Sequence, residues 1–306
     1  MDQSSRGKHI PIVDAHQHFW DVERNYHPWL CDEPLIPFRY GDYRPLRRSY
    51  LPEDYFRDTS AFDVVASVCV EAEWDPDDPI GETRWIDRLA GQCGLPSVVV
   101  AQAWLDRDDV EEVLASQASF SRVRSVRHKP SAAPSPDSVR PQAKGSMGDA
   151  KWRRGYALLE SHGLAFDLQT PYWHLVEAYE LACDFPHIPI ILNHTGLPAG
   201  RSAEGLADWR RAMQTLARAP NVVVKISGLG QPGTAWTVDA NGPLVLDTID
   251  MFGVERCMFA SNFPVDSLVA DFETIYRGFM RIVEHFSLND QRKMFCENAR
   301  RVYRIP

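Results

Sequence analysis

What is missing from this chain of 306 residues narrows its roles before any motif is read. No apolar run approaches the length needed to cross a bilayer, so a membrane partner is not expected. The formal charge is −9 and no basic tail or stripe interrupts it, which argues against nucleic acid as a partner. Cysteine is sparse: Cys31, Cys69, Cys93, Cys183, Cys257 and Cys296 are scattered and no CxxC pair occurs. That pattern fits a reducing compartment better than a disulfide framework. The stretch Met1 to Lys8 is polar and lacks the apolar core of a secretion signal, so a cytoplasmic protein is expected. The first strand-like run is not followed by a glycine-rich loop, which disfavours an open dinucleotide-binding sheet.

In place of that loop stands Ile12-Val-Asp-Ala-His16-Gln-His18-Phe-Trp20. Residues i and i+2 of a strand share a face. His16 and His18 would therefore project together from the strand's C-terminal end, and two converging imidazoles suit a metal ion. An arbitrary His-x-His is also read as two satisfied polar residues, so the rest of the chain has to decide.

Apolar runs of strand length recur at Ile10 to His16, Val64 to Val70, Ser97 to Leu105, Val123 to Arg127, Leu164 to Gln169, Ile188 to His194, Val222 to Ile226 and Cys257 to Ala260. Several are continuously apolar, as strands buried on both faces are. Helical stripes lie between them: Trp152, Tyr156 and Leu159; Leu206, Trp209, Met213 and Leu216; Leu244, Leu246, Ile249 and Phe252; and Phe272, Ile275, Tyr276, Phe279, Ile282 and Phe286. Eight βα repeats in about 250 residues predict a closed (β/α)8 barrel of one domain, spanning residues 10–306 behind a polar tail at 1–9. Long segments follow strand one (Asp21 to Arg57) and strand four (Pro130 to Gly148). Both would emerge on the face where barrel enzymes build their sites, as lids or as surface excursions.

On a barrel the chemistry collects at strand C-termini. Strand one delivers His16 and His18, strand two Glu71 and Glu73, and strand four Arg127, His128 and Lys129. Strand five brings Asp167 and Gln169, strand six His194, strand seven Lys225 and Ser227, and strand eight Asn262 with Asp266 four residues on. Three histidines from strands one and six can form a facial set around one Zn²⁺ with a fourth position open for water. Arg127, Lys129 and Lys225 would make a cationic pocket in an acidic chain, suited to a carboxylate, with Arg127 the bidentate binder. His27 and His174 could line a lid or pocket. His9, His162, His187 and His285 have no strand-end position.

Together, His16-Gln-His18-Phe-Trp-Asp21, His27-Pro-Trp29, Val126-Arg127-His128, Asp167-Leu-Gln169, Asn193-His194-Thr-Gly196, the NVVVKISG of 221–228, Glu255-Arg-Cys-Met-Phe259 and Asn298-Ala-Arg-Arg-Val-Tyr303 resemble the lactonase-like branch of the amidohydrolase superfamily. The ordered set runs from about Ile10 to Tyr303. The resemblance implies a hydrolase that opens a small lactone, such as a sugar-acid lactone, a pyrone-dicarboxylate or a sulfomuconolactone. It implies metal-type positions at His16, His18 and His194 and a substrate-binding arginine at Arg127. Some relatives use zinc and some need no metal, so the site is read as one divalent ion, zinc foremost, or none. One departure stands out. The branch commonly carries Gly-Ser-Asp-Trp-Pro at strand eight with the Asp as general base, and this chain has Ala260-Ser-Asn262-Phe-Pro264. An amide cannot accept a proton from water near neutral pH.

Three routes follow: water activated by a metal on His16, His18 and His194, with Asn262 orienting the water or substrate; Asp266 folding back as the base; or Asp167 or Glu73 serving from a neighbouring strand. Gln169 and Lys225 are read as further substrate contacts. The expected reaction is therefore lactone opening on a small anionic or polyhydroxylated molecule. Alternatives are decarboxylation of an unsaturated or aromatic acid on the same barrel, or a weakened enzyme that binds a sugar acid. The exposed barrel helices leave a homodimer open.

Overall fold

In the computed structural model, which describes residues 10–198 and 200–306, eight parallel strands follow one another in chain order around a barrel. They are β1 (Ile12–Gln17), β2 (Val64–Val70), β3 (Val98–Gln102), β4 (Val123–Arg127), β5 (Ala165–Leu168), β6 (Ile190–Leu192), β7 (Val222–Ile226) and β8 (Cys257–Phe259). Every expected run holds a strand. β3, β5, β6 and β8 are shorter than their runs: each leaves its last residues out of the ladder, toward the mouth, and β3, β5 and β6 also start one or two residues late. The polar tail expected at 1–9 lies outside the described residues. No helix among the described residues is long and apolar enough to cross a membrane.

Helices wrap the barrel: α1 (Pro52–Asp58), α2 (Gly81–Cys93), α3 (Val110–Ala118), α4 (Ala150–Ser161), α5 (Leu175–Asp184), α6 (Ala203–Ala217), α7 (Val238–Phe252), α8 (Phe272–Ile282) and α9 (Asn298–Tyr303). The α8 stripe is buried as its spacing predicts, at Phe272, Ile275, Tyr276, Phe279 and Ile282, and the helix opens on an Asp271 cap that accepts from the Thr274 amide at 2.6 Å. In α7, Leu244, Ile249 and Phe252 are buried, while Leu246 is turned to solvent. Leu244, Val245 and Leu246 are apolar in succession, so spacing alone does not tell which of them faces outward.

Two apolar layers result. Ile12, Val99, Phe166 and Leu192 face the helices, against Trp152, Trp209 and Phe279. Val13, Ala15, Val68, Val100, Ile191 and Met258 fill the barrel interior, and Tyr303 and Ile305 from the α9 end join that inner layer.

The barrel closes where β1 meets β8, through a short seam rather than a long ladder. The Asn262 amide donates to the His16 carbonyl at 2.8 Å, and the His18 amide donates to the Phe263 carbonyl at 2.7 Å. The Asp14 carboxyl reinforces it, accepting from the Ser261 amide at 2.8 Å and the Ser261 hydroxyl at 2.6 Å.

The segment after β1 folds over the mouth. Trp20, Tyr43 and Tyr50 are buried in it, and Trp20 and Tyr50 exchange backbone hydrogen bonds. The segment after β4 docks beside α5: the Ala133 amide donates to His174 Nε2 at 2.8 Å and Trp173 Nε1 donates to the Ala133 carbonyl at 2.9 Å.

Candidate active site

A one-residue bulge in β1 sets up the site. Asp14 lies opposite Ser67 and Gln17 opposite Cys69, so three steps on β1 face two on β2. In a regular strand Asp14, His16 and His18 would share a face. Here Asp14 turns outward to the Tyr55 hydroxyl of α1 at 2.9 Å and the Tyr276 hydroxyl of α8 at 3.2 Å. The extra residue sends His16 and His18 the other way, into the mouth.

Both histidines are buried and neutral. His18 places Nδ1 against the Val70 carbonyl at 2.7 Å, which fixes Nδ1 as the donor and leaves Nε2 with a lone pair. Burial pushes its imidazole down to about 3, with the nearby Arg127 cation acting the same way. His16 is held well below the usual imidazole range, first by burial and then by Lys225. Its Nε2 stands 3.2 Å from His18 Nε2, and its buried Nδ1 has no partner among the described residues. Two nitrogens bound to one tetrahedral zinc ion at 2.0–2.1 Å lie about 3.3 Å apart. The pair therefore fits one half of a zinc site. No group of three or more histidine, cysteine or carboxylate side chains among the described residues stands together as a complete ligand set.

His194 approaches from β6, its ring centre 4.6 Å from that of His16. Its Nδ1 meets the Ser227 hydroxyl at 2.9 Å, and burial again lowers its imidazole well below the usual range. The backbone there is left-handed for four residues, with φ of 53° at His194, 56° at Thr195, 67° at Gly196 and 50° at Leu197. Glu73 and Asn262, at φ of 56° and 58°, share that conformation. Such backbone costs a non-glycine residue roughly 1–2 kcal/mol. Glu73, His194, Leu197 and Asn262 all line one cavity, so the strain is gathered at the mouth.

That cavity has a volume of about 270 Å³. His18, His194, Asn262, Arg127 and Gln169 face it from the barrel, and Trp20, Trp29, Phe38 and Arg39 from the segment after β1. Arg127 is fixed rather than free. It donates through Nε and one terminal nitrogen to the Glu71 carboxylate and carbonyl, and through the other to Gln169 Oε1 at 3.0 Å. Lys129 and Glu73 pair at the rim. A second compartment of about 570 Å³ continues from the first past Trp29, Glu73, Arg127 and Lys129, toward Trp74 and Trp104.

Asn262 is oriented by Asp266. Its Nδ2 donates to Asp266 Oδ1 at 2.6 Å, and the same oxygen accepts from the Tyr40 hydroxyl at 2.9 Å. An amide whose nitrogen is committed this way turns its oxygen toward the cavity, where it can accept a hydrogen bond but not a proton.

Two placements made from the sequence are corrected. Asp266 does not reach the cavity as a base: it is buried behind Asn262, held by Tyr40 and Asn262, and burial raises its carboxyl above the usual range. Lys225 is not a substrate contact. It is fully buried and donates to Asp167 Oδ1 at 2.6 Å, while Tyr303 donates to both oxygens of that carboxylate at 2.9 and 3.0 Å. Asp167 is thereby committed to the barrel interior as well. A lysine at a strand end reads alike in sequence whether it rises into the mouth or drops beneath it. His27 and His174 are also structural: His27 Nδ1 meets the Ala72 carbonyl at 3.0 Å, and His174 bridges Ala133 and Glu177. Arg39, Trp29 and Phe38 are the lining residues that strand-end reasoning misses, since they come from a segment without periodicity.

The arrangement combines neutral imidazoles able to hold a cation, an amide acceptor and a fixed guanidinium, Arg127, around a small opening. The family model described as Amidohydrolase matches residues 13–305. An uncharacterized protein of Sinorhizobium fredii, y4mH, is 38% identical over 97% of this chain and 99% of its own length. The L-fucono-1,5-lactonase of Burkholderia multivorans is 26% identical, with 96% of each chain covered. Among solved structures, an amidohydrolase from Burkholderia multivorans with bound zinc superposes at a TM-score of 0.80 and 26% identity, over 96% of this chain and 99% of that one. A barrel with histidines at the ends of its first and sixth strands, matched over nearly its full length, belongs to the amidohydrolase family, in its lactonase-like branch.

Proposed function

We propose that this enzyme hydrolyses a small lactone, with the ring carbonyl held over His16, His18 and His194. The observation that carries the reading is the convergence of His18, His194 and an oriented amide oxygen on one cavity of about 270 Å³, with His16 buried against both imidazoles, a space that suits a single sugar-sized ring. The similarity to L-fucono-1,5-lactonases supports the same substrate class.

His16 and His18, together with His194 beside them, would hold one divalent ion, zinc by the nature of the donors. Bound there, such an ion lowers the pKa of a water to about 7 and polarises a carbonyl. The chain does the rest. Asn262 Oδ1 accepts a hydrogen bond from the attacking water or a ring hydroxyl and fixes its direction. Arg127, locked by Glu71 and Gln169, presents its remaining N–H groups to substrate oxygen without rearranging. The aromatic groups Trp20, Trp29 and Phe38 exclude bulk water from the carbonyl. Water oxygen adds to the carbonyl carbon, the ring C–O bond breaks, one of the water's protons ends on the departing ring oxygen as the product's hydroxyl, and the other is released as the new acid ionises to carboxylate.

The test is a panel of sugar-acid and dicarboxylate lactones, assayed by acid release with and without added Zn²⁺ or Mn²⁺. Ring opening of at least one member is expected, lost on chelation and restored by metal. A folded protein that opens none of them sinks the lactonase reading, and release of carbon dioxide from an unsaturated acid would replace it with a decarboxylase.

A further inference from the structure

The cations around the cavity are not equivalent. Arg127 is neutralised by buried Glu71 and spends three of its nitrogens on fixed partners. Lys129 is neutralised by Glu73 at the rim. Lys225 lies beneath the mouth on Asp167. Arg39 differs from all three. It comes from the segment after β1, and its polar contacts among the described residues are long ones, 3.4 Å to the Gly228 carbonyl and 3.5 Å to Asp266 Oδ1. Asp266 already takes short hydrogen bonds from Tyr40 and Asn262.

Arg39 is nevertheless well placed. Its guanidinium carbon stacks 4.5 Å above the Tyr40 ring. Its terminal nitrogens lie against Gly228, where a Cβ would come within 2.8 and 2.9 Å of them and 2.9 Å of the His194 ring. Gly228 (φ 63°) thus leaves the slot in which the guanidinium rests beside His194. The side chain keeps 27% of its surface exposed and lines the cavity opposite Arg127. It is a positioned fork of N–H donors with loosely held partners, the form in which arginine takes a carboxylate through two parallel hydrogen bonds.

We propose that Arg39 is the anion anchor of this site: it binds the free carboxylate of a negatively charged lactone, while Arg127 contacts neutral oxygen. The substrate class becomes a lactone bearing a second, unesterified carboxylate. This rests on the lactonase reading for the reaction but not for the binding, and the experiment separates the two.

Binding is measured first, with two ring ethers that cannot be hydrolysed, tetrahydropyran-2-carboxylate and tetrahydropyran-2-methanol. Arg39→Gln is expected to weaken the carboxylate at least tenfold and leave the alcohol within twofold, and Arg39→Lys to recover part of the loss. Turnover is compared next on D-glucaro-1,4-lactone, which carries a carboxylate, and D-glucono-1,4-lactone, which does not. Arg39→Gln should raise KM at least tenfold for the first with kcat within threefold, and change neither for the second. Equal weakening of both ethers, or of neither, overturns the proposal. If no lactone is opened, the binding arm still decides the role of Arg39 while the reaction fails separately.

Discussion

At the scale of single residues, Asn262 stands where the resemblance read from the sequence implies an aspartate, and its neighbour shows how an amide is accommodated there. The amide nitrogen sits 2.6 Å from a carboxylate oxygen of Asp266. Returning an aspartate to position 262 would set two carboxylates at that spacing in a buried site, and one of them must then hold a proton. Asn262→Asp is therefore expected to lower stability by about 1–3 kcal/mol, with the loss growing as the pH rises through neutrality. Urea unfolding at pH 6 and pH 8 reads this directly, and Asp266→Asn in the same chain should relieve it. A variant as stable as the parent at both pH values would show that Asp266 does not orient the amide. The left-handed backbone at Glu73, His194 and Asn262 has no signature in the sequence, because none is a glycine. The residue types at strand ends were legible, whereas their directions depended on partners far along the chain.

Among the elements, the strands were the most legible part and β1 the least. Runs such as residues 98–101 of β3 carry their own evidence, being apolar throughout and buried on both faces. The bulge in β1 does not, since Asp14, His16 and His18 keep a regular alternation in the text of the sequence while the backbone breaks it. The segment after β1 was legible as long and aromatic, but not as the wall that supplies Arg39. Its attachment yields a pH prediction. His27 ties this segment to the end of β2 through the Ala72 carbonyl, and burial lowers its imidazole to about 4. In the unfolded chain the group takes a proton below about 6.5. The unfolded state thus binds more protons between pH 6.5 and 4, and the stability tied to neutral His27 is present above 6.5 and lost as pH falls through that window. The loss from His27 should be about 2 kcal/mol between pH 6.5 and 5. His27→Gln, whose amide can still donate to Ala72, should flatten the decline by that amount in urea titrations at the two pH values. An unchanged slope would exclude His27 as a contributor.

For the molecule as a whole, the mouth and the interior are built from separate charge systems. Beneath the histidines, Lys225, Tyr303 and Asn193 all donate to Asp167, joining β7, α9 and the end of β6 to β5 in one buried network. Removing its only cation strands a buried carboxylate. Lys225→Met is expected to cost about 3–5 kcal/mol by calorimetry or denaturant unfolding, and Lys225→Met with Asp167→Leu should regain much of it. A mild effect of the single change would mean that Tyr303 and Asn193 suffice to hold the charge. The seam between β1 and β8 has a different kind of consequence. Closure of the barrel and assembly of the cavity use the same few hydrogen bonds, from His16 and His18 to Asn262 and Phe263. Those partners are far apart in the order of synthesis. At roughly 5–20 residues per second, on the order of 10–50 s separates the emergence of the two histidines from that of the strand that completes them. During translation the histidine pair waits in an open sheet, and no competent cavity exists until the last strand has been made.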